Sequence, residues 1–534
     1  PGPVTVLRPS PAQEPLEAGV GEATLLGFTL AGDPEDLGRE GGRALTLTLA
    51  GKGVVPDGVY TLWVDGVAHT ARLVRDAGVS GGTLRFEGLV AHAGAQVTLS
   101  GPVGANGEVR VAASTWGGEG ACAHVAAVVA DDLVADGFVP EGCALASERT
   151  PEGYDATIYR IPALATDGEG GVVAVYDVRY GSGDLGDRRH SGIDLGETYS
   201  DDFGVSWGRP RLAVDVPNFR ANDGSYPLGD DQSKITKEMD IGDAALLFDP
   251  ARRRYWLMAI TGGGLSYVGE KSERNDCVLY SRGVGPDAKW EGRRSVKAAI
   301  LAGVGRTANP GRGVLAGPGH GMVTRIGRAG MPRGTLVFPV QAFVNGGTTN
   351  AQCCAAYSTD GGETWRTTGL TPMPPGNAQE NCILELDDGS WLMMSKGGSW
   401  GAGNGRRLFF RTTDFREWSP LAAIPNVIHV QGSCLRIGTG ADGVGRYVLA
   451  HQLDPDTRAR LALVFGRDLT ADHPDAGQEG VAWDLENPLV IHAGETGGQG
   501  YVSLCLLDET TLGVLYEAND RIRFERIDLA PYLR

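Results

Sequence analysis

The sequence lacks an excess of positive charge and any long apolar run, and each absence excludes a class of protein. Its 48 Lys and Arg stand against 66 Asp and Glu, which gives a formal net charge of −18. No basic field is therefore present to attract nucleic-acid phosphates. No stretch reaches the roughly 18 apolar residues that a membrane-spanning helix needs. We expect neither nucleic acid nor a membrane span.

Neither cysteine nor proline is enriched, whereas glycine is abundant. The eight cysteines form no Cys-x-x-Cys pair, and no His, Cys and carboxylate cluster has metal-ligand spacing, so no metal or other cofactor is expected. Buried free thiols are favoured over disulfides, with Cys122 and Cys143 as one candidate bridge. Glycine numbers 81 against 29 prolines. Because glycine reaches positive φ angles, this excess is typical of an all-β chain with many tight turns.

A chain of 534 residues is too long for one hydrophobic core, and its pattern changes near residue 150. Up to about residue 148, short alternating runs such as residues 45–49 and 60–64 lie between Gly and Asp turns, as in a β-sandwich. Residues 147–153 are polar and rich in turn formers, which indicates a linker. We predict a β-sandwich-like accessory domain over residues 1–148 and a second domain over residues 149–534.

The motif Ser-x-Asp-x-Gly-x-x-Trp recurs in the second domain. Full copies lie at residues 200–207 and 358–365, and degenerate copies begin at Thr412 and Ser281. In such a hairpin turn, the aspartate accepts backbone N–H groups, the glycine takes the left-handed conformation and the tryptophan packs between strands. These Asp boxes are structural rather than catalytic. They indicate the stacked four-stranded blades of a β-propeller.

A second, ordered series of motifs spans residues 155–534. It contains Tyr-Arg-Ile-Pro at 159–162, Asp-Val-Arg-Tyr at 177–180, Glu-Asn at 380–381, Arg-Ala-Arg-Leu at 458–461, Gly-Tyr-Val-Ser-Leu at 500–504 and Leu-Tyr-Glu-Ala-Asn-Asp at 515–520. The series resembles the bacterial exo-α-sialidases with Asp-box repeats. That resemblance implies a six-bladed β-propeller with an N-terminal β domain. It also implies an exo-α-sialidase that hydrolyses terminal α-linked sialic acids from glycans, glycoproteins and glycolipids.

A sialic acid carries a carboxylate on its anomeric carbon, and a guanidinium group can bind a carboxylate through two parallel hydrogen bonds. The family uses three arginines for this purpose, and Arg160 and Arg458 match the first and third by motif. At the position where the second arginine is expected, the register places Lys396. Its ammonium group is a point charge and cannot form the two parallel hydrogen bonds of a guanidinium group. Arg406 or Arg407, beyond the glycine-rich loop 397–405, are the alternatives. This departure bears on substrate choice more than on reaction class.

The resemblance implies a tyrosine nucleophile and a retaining mechanism. A carboxylate nucleophile would be repelled by the substrate's own carboxylate, whereas a neutral phenol can approach. Tyr501 matches the family's tyrosine. A free phenol has a pKa near 10 and needs a base, and Glu380 matches the family's glutamate in that role. Glu385 is the rival, but it lies in an apolar strand run that suggests the edge of a blade.

A retaining glycosidase also needs an acid that protonates the leaving oxygen and then activates water. Asp184, five residues after Arg179, matches the family's acid, and Asp187 is the alternative. The resemblance further places Arg179 in the pocket near the C4 substituent of the sugar, and Glu517 beside Arg160 as its ion-pair partner. His320, between two glycines, is expected to be a turn residue beside the pocket.

Other activities fit the same motifs. A trans-sialidase, a hydrolase of a related nonulosonic acid, and a sialic-acid-binding propeller without turnover remain open. The family resemblance implies a secreted, cell-surface or periplasmic protein. The chain begins with Pro1-Gly2-Pro3 and not with a signal peptide, as a trimmed mature chain would, so its start decides nothing.

Overall fold

The protein is described here by a computed structural model, and its contacts divide the chain into two compact units. The first comprises residues 1–131, 200–207 and 524–528, and the second comprises residues 132–199, 208–523 and 529–534. Within these units the structure describes residues 6–9, 21–30, 43–50, 59–64, 67–75, 81–89, 96–103, 110–116, 130–132, 158–180, 184–185, 192–204, 207–208, 210–218, 234–262, 274–304, 313–343, 351–372, 377–398, 404–470, 480–495, 500–518 and 521–534.

The N-terminal part of the chain forms two antiparallel sheets. Their strands are β1 (Val6–Pro9), β2 (Gly21–Leu30), β3 (Arg43–Ala50), β4 (Val59–Val64), β5 (Val67–Arg72), β6 (Val74–Arg75), β7 (Gly81–Leu89), β8 (Gln96–Val103) and β9 (Arg110–Trp116). One sheet has the order β1-β2-β8-β4-β5 and the other β6-β7-β3-β9. In β4, Tyr60, Leu62 and Val64 are buried while Val59 and Trp63 are exposed, because alternate side chains of a strand face opposite sides.

Six further sheets follow along the chain. The first three contain β11 (Ile158–Thr166), β12 (Val172–Arg179), β13 (Ile193–Ser200) and β14 (Arg211–Val214); β15 (Ile241–Asp249), β16 (Arg254–Gly262), β17 (Asn275–Gly283) and β18 (Glu291–Ser295), with β20 (Gly319–His320) beside β15; and β19 (Val314–Ala316), β22 (Leu336–Phe343), β23 (Ala351–Ser358) and β24 (Arg366–Thr367), with β21 (Met322–Val323) beside β22. A short helix, α1 (Lys297–Gly303), follows β18.

The last three sheets continue the pattern. They contain β25 (Asn377–Glu385), β26 (Trp391–Gly398), β27 (Gly405–Thr412) and β28 (Ser419–Pro420), with β29 (Ile424–Val427) beside β27; β30 (Ser433–Thr439), β31 (Gly445–Gln452), β32 (Ala459–Asp468) and β33 (Val481–Trp483), with β34 (Leu489–Glu495) beside β32; and β35 (Val502–Leu506), β36 (Thr511–Ala518), β37 (Arg521–Asp528) and β10 (Ala130–Asp132). A 3₁₀ helix at Ala530–Tyr532 follows.

The six sheets close into a ring. Strand β11 contacts β15 on one side and β35 on the other, and the series continues through contacts of β15 with β22, β22 with β25, β25 with β30 and β30 with β35. Each sheet is therefore one blade, numbered 1 to 6 in chain order from β11. The prediction of an all-β, six-bladed propeller is confirmed.

Apolar side chains fill the space between neighbouring blades. One cluster joins blades 1 and 2 and includes Val175 and Leu257, and another joins blades 4 and 5 and includes Leu384 and Leu449. Equivalent clusters lie between blades 2 and 3 and between blades 3 and 4. Because strands buried on both faces need apolar residues at consecutive positions, β12 reads Val-Val-Ala-Val-Tyr and is buried throughout.

The Asp box at residues 358–365 forms the turn that its sequence predicts. Asp360 Oδ1 accepts the Thr364 N–H at 2.9 Å, and Gly362 has a φ of 92°. The Trp365 ring packs 5.7 Å from that of Phe338, centroid to centroid. The motif thus ties the outer part of one blade to its core.

Two sequence predictions concern residues whose structure is not described. The linker at residues 147–153 and the candidate Cys122–Cys143 bridge both lie outside the described residues. The short strand β10 belongs to the sheet of blade 6 although it precedes residue 148. The domain boundary at residue 148 therefore stays a prediction. No helix in the described part of the chain is long and apolar enough to cross a membrane.

Candidate active site

Three first strands of blades carry a bulge near their start. The pairing register shifts after Arg160 in β11, after Gly242 in β15 and after Gln379 in β25. At each shift a non-glycine residue takes a left-handed conformation: Ile161 (φ 55°), Asp243 (φ 52°) and Glu380 (φ 39°). A bulge re-aims side chains out of the regular alternation, and such strained residues cluster at functional sites. The candidate site lies where these bulges meet.

Tyr501, Glu380 and Lys396 form a hydrogen-bonded row at this place. The Tyr501 hydroxyl donates to Glu380 Oε1 at 2.5 Å, and Lys396 Nζ lies 2.6 Å from Glu380 Oε2. Lys396 reaches Glu380 because it pairs across the sheet with Gln379, the residue before the bulge. The Gln341 side chain accepts the backbone N–H of Glu380 and helps to hold the bulge.

The electrostatic surroundings set the protonation of this row. Burial alone would raise the pKa of Glu380, but the charge and hydrogen bond of Lys396 together with the hydrogen bond from Tyr501 hold that pKa below its ordinary value. Burial and the Glu380 carboxylate raise the pKa of Tyr501 well above its ordinary value, while Arg160 and Arg458 act in the opposite direction. At neutral pH the pair is therefore a neutral phenol donating to an ionised carboxylate, which is ready to accept the phenol's proton.

Glu517 holds Arg160 and the backbone around Tyr501 together. Its fully buried carboxylate accepts hydrogen bonds from Arg160 Nε at 3.2 Å and Nη2 at 3.4 Å. It also accepts the backbone N–H groups of Ile161 (2.6 Å), Gly500 (2.8 Å) and Tyr501 (3.0 Å). The Arg160 guanidinium carbon lies 5.2 Å from the centre of the Tyr501 ring, within the range of a cation–π contact.

A second cluster surrounds Arg179 on β12. Its guanidinium donates to Asp177 at 2.7 Å and to Asp184 at 2.7 Å, and lies 3.8 Å from Asp243. The Asp184 side chain is 66% exposed whereas that of Arg179 is 3% exposed, so Asp184 is the member that faces solvent. Partial desolvation by the surrounding protein would raise the pKa of Asp184, but the Arg179 cation, supported by Arg160 and Lys396, outweighs this effect and holds that pKa below its ordinary value.

Asp243 lies beside Arg179 in the candidate site, and the sequence analysis missed it. Burial and the neighbouring Asp177 carboxylate raise the pKa of Asp243 well above its ordinary value, although Arg179 acts against this. The raised pKa favours the protonated form of Asp243, and a protonated carboxyl can donate a hydrogen bond. The sequence around it, Ile241-Gly242-Asp243-Ala244, matches none of the motifs used, and only the bulge reveals it.

The remaining candidate cations occupy different surroundings. Arg458 is half-buried, and its charge reaches Tyr501, whereas Arg406 is exposed on β27. Arg407 is fully buried, donates to the backbone oxygen of Val430, and has its pKa lowered to about 10 by burial. Of the three alternatives for the second carboxylate-binding cation, Lys396 is the one that contacts Glu380.

His429 is a second residue that the sequence analysis missed. It is 2% exposed and precedes β30. Burial and the Lys396 cation lower its pKa to about 4, so its imidazole is neutral at pH 7. Lys396, Glu380 and Arg458 all affect its pKa, so His429 belongs to the electrostatic surroundings of the Glu380–Lys396 pair.

The structure describes two of the three remaining candidates from the sequence analysis, Glu385 and His320, but not Asp187. The carboxylate of Glu385 accepts backbone N–H groups from three successive residues, 325–327, so it shapes a loop. His320 lies in β20 with its ring nitrogens near Ser433 Oγ and Gly321 O. Asp187 lies outside the described residues. Within the described part of the chain, no three His, Cys, Asp or Glu side chains come together as metal ligands would.

Comparisons with known proteins find similarity to sialidases. No protein-family model matches the chain. It is 25% identical over 396 residues to a sialidase of Bacteroides fragilis (strain YCH46) and 26% identical over 407 residues to a sialidase of Paraclostridium sordellii. Each match covers 71% of this chain, and the chain spans 64% of the length of the first relative and 85% of the second.

Among solved structures, a Hadza microbial sialidase has the same fold. It superposes with a TM-score of 0.56 at 19% identity, and the match covers 99% of both chains. The ordered motifs and the closed ring of blades thus agree with similarities found independently at the level of sequence and of structure. The resemblance of this chain to the sialidase family is confirmed.

Proposed function

We propose that the chain is an exo-α-sialidase that cleaves terminal α-linked sialic acids from glycans with retention of configuration. The observation that carries the proposal is the 2.5 Å hydrogen bond from the Tyr501 hydroxyl to Glu380, with the Arg160 cation 5.2 Å from the tyrosine ring. A buried phenol beside an ionised carboxylate and cations is suited to attack a sugar that itself carries a negative charge.

Cations recognise the substrate in this proposal. Arg160 and Arg458 bind the sugar's carboxylate, and Lys396 contributes a third positive charge as a single ammonium. Glu517 fixes the orientation of the Arg160 guanidinium through two hydrogen bonds, which lowers the entropy lost when substrate binds. Arg179 and Asp243 line the part of the pocket that faces the sugar's C4 substituent.

The first chemical step forms a covalent intermediate. Tyr501 Oη attacks the anomeric carbon while Glu380 takes the phenol proton and Asp184 protonates the leaving oxygen. Because the phenol is neutral until it attacks, it avoids the repulsion that an ionised nucleophile would meet. The Arg160 and Arg458 cations stabilise negative charge as it develops on the phenol oxygen.

The second step needs the reverse proton transfers. Asp184, now ionised, removes a proton from water, and the resulting hydroxide attacks the anomeric carbon and releases Tyr501, which regains its proton from Glu380. The exposure of Asp184 gives water access to this side of the pocket. Since Arg179 keeps the pKa of Asp184 low in the free protein, the protonated acid is most populated at acidic pH. We therefore propose an acidic pH optimum for natural substrates.

Terminal sialic acids lie on glycoproteins and glycolipids outside cells. We accordingly propose that the protein acts in a secreted, cell-surface or periplasmic location.

The test is an assay with an aryl N-acetylneuraminide, with the products followed by NMR. We expect free sialic acid released first as the α anomer. A 3-fluoro-sialyl fluoride should then label Tyr501, as read by peptide mass. Tyr501→Phe should fold and lose most activity, whereas Tyr357→Phe, a change on β23 where the ring makes an edge contact with Trp391, should not. Release of a transferred or anhydro product would assign a trans-sialidase. Binding without turnover would assign a sialic-acid-binding propeller.

A further inference from the structure

Two buried cysteines meet between blades 4 and 5. Cys382 lies in β25 and Cys434 in β30, 52 residues apart in the chain, and their Sγ atoms are 2.7 Å from each other. Their exposed fractions are 1% and 0%. Carbon atoms in non-bonded contact stay about 3.5–4.0 Å apart, and sulfur is larger, so two unbonded sulfurs do not pack this closely. The backbone thus presents the two side chains to each other at nearly bonding distance.

The chain folds to this arrangement for an identifiable reason. Both cysteines belong to the apolar cluster that also contains Leu384, Met394 and Leu449. The first strands of the two blades contact each other. A side chain on β25 that faces blade 5 must therefore meet one on β30 that faces blade 4. A cysteine stands at both positions.

We propose that Cys382 and Cys434 form a disulfide bond that links blade 4 to blade 5. Oxidation removes two protons and two electrons from the thiols as their S–S bond forms. A small-molecule disulfide such as oxidised glutathione accepts them, its own S–S bond breaks, and two thiols are released. Only a short approach of the two sulfurs is needed, because they lie 2.7 Å apart and an S–S bond is about 2.05 Å long.

The bond forms during folding rather than afterwards. Thiol–disulfide exchange needs a thiolate and access to solvent, and both cysteines are buried. Burial raises the pKa of Cys434 well above its ordinary value, so its thiol stays protonated in the folded protein. A chain folded under reducing conditions should therefore oxidise slowly at this pair. A chain refolded in a glutathione redox buffer should acquire the bond.

The position of the pair connects it to the active site. Cys382 is two residues from Glu380, and Cys434 is three residues from Gln431. The Gln431 side chain accepts the Val502 N–H at 2.9 Å and donates to Val502 O at 2.9 Å, directly after Tyr501. The disulfide therefore ties the strand that carries Glu380 to the segment that holds the backbone next to Tyr501.

The first test is chemical. The full chain is refolded either in a glutathione redox buffer or in dithiothreitol, then unfolded in guanidinium chloride with N-ethylmaleimide and digested without further reduction. We expect a linked peptide pair containing Cys382 and Cys434 only in the oxidised sample, with both residues alkylated in the reduced one. Alkylation of both cysteines after oxidative refolding, or linkage of either to another cysteine, would overturn the proposal.

The second test measures stability. A bond that closes a loop of this length should raise the midpoint of thermal unfolding on the order of 5 °C in the oxidised protein relative to the reduced protein. Cys434→Ala and Cys382→Ala should each abolish that difference. Cys505→Ala, which removes another buried cysteine in β35, should leave it intact. A difference that persists in both cysteine variants refutes the bond. If the variants fail to fold, the peptide linkage in the wild type decides alone. Neither measurement depends on enzymatic activity.

Discussion

Replacing Lys396 is the sharpest perturbation that the site offers. Its ammonium lies 2.6 Å from Glu380 Oε2, and both side chains are almost completely buried. A charge-assisted hydrogen bond of this kind contributes about 1.5–3 kcal/mol. Since each 1.4 kcal/mol corresponds to about a factor of ten, Lys396→Ala should lower kcat/KM about ten- to a hundredfold. Lys396→Arg keeps the positive charge and adds a fork for the substrate carboxylate, so we expect it to be tolerated or to lower KM.

The pH profile tells us how Lys396 acts. In the wild type, Lys396 holds the pKa of Glu380 down against burial. Without the cation, burial dominates and the pKa of Glu380 rises. The acidic limb of kcat/KM should therefore move to higher pH in Lys396→Ala and stay in place in Lys396→Arg. The assay uses an activated aryl sialoside, because its leaving group needs little protonation and the limb then reports the base rather than Asp184.

Arg406→Ala is the matched control, because Arg406 lies on the paired strand β27 but is exposed. It should leave both kcat/KM and the acidic limb unchanged. Arg407 is unsuitable as a control, since removing its fully buried side chain would leave a cavity. If Arg406→Ala were crippled while Lys396→Ala kept normal kinetics, the second carboxylate-binding cation would come from β27 and our assignment would be wrong. An unmoved acidic limb in Lys396→Ala would refute the electrostatic role.

Three further predictions follow. Asp184→Ala should reduce hydrolysis of natural sialosides far more than that of activated aryl sialosides, and equal losses on both would assign the acid to another residue such as Asp187. Glu517→Gln removes the charge that holds Arg160, so KM should rise, and Glu517→Asp, which keeps the charge, should raise KM less. A change in kcat alone would argue against a role of Glu517 in orienting Arg160. Deletion of residues 1–147 should preserve kcat/KM on a small aryl sialoside. Deletion of residues 1–120 keeps β10 in the sheet of blade 6, so this variant should have a higher midpoint of thermal unfolding than the variant that lacks residues 1–147. Loss of activity in a folded deletion variant would show that the N-terminal part shapes the site.

The architecture could be predicted from the sequence because its signals are local. An Asp box specifies its own turn within eight residues, as the Asp360–Thr364 hydrogen bond illustrates, and a recurring turn implies recurring blades. Tyr501 and Glu380 could be proposed because each lies in a short motif. Their 2.5 Å contact joins residues 121 positions apart, and only the closure of the ring could reveal it.

What the sequence could not predict depends on bulges and on long-range contacts. Asp243 enters the site because β15 slips its register after Gly242, and no residue type announces that slip. Lys396 could be placed by register, but its partner Glu380 points towards it because Glu380 itself takes a left-handed conformation in the bulge of β25. The eight cysteines likewise gave no sign that Cys382 and Cys434 would meet, because each lies in an ordinary apolar run and the two belong to different blades.

The five hydrogen bonds accepted by Glu517 have a consequence for biosynthesis. They join Arg160 and Ile161, at the beginning of blade 1, to Gly500 and Tyr501, which are made some 340 residues later. A nascent chain that has produced five blades has neither an oriented Arg160 nor Tyr501, the residue that we propose as the nucleophile. If Tyr501 and Arg160 act as we propose, catalytic activity appears only when the last blade docks against the first. Turnover of a small sialoside would then report when the propeller is complete during synthesis or refolding.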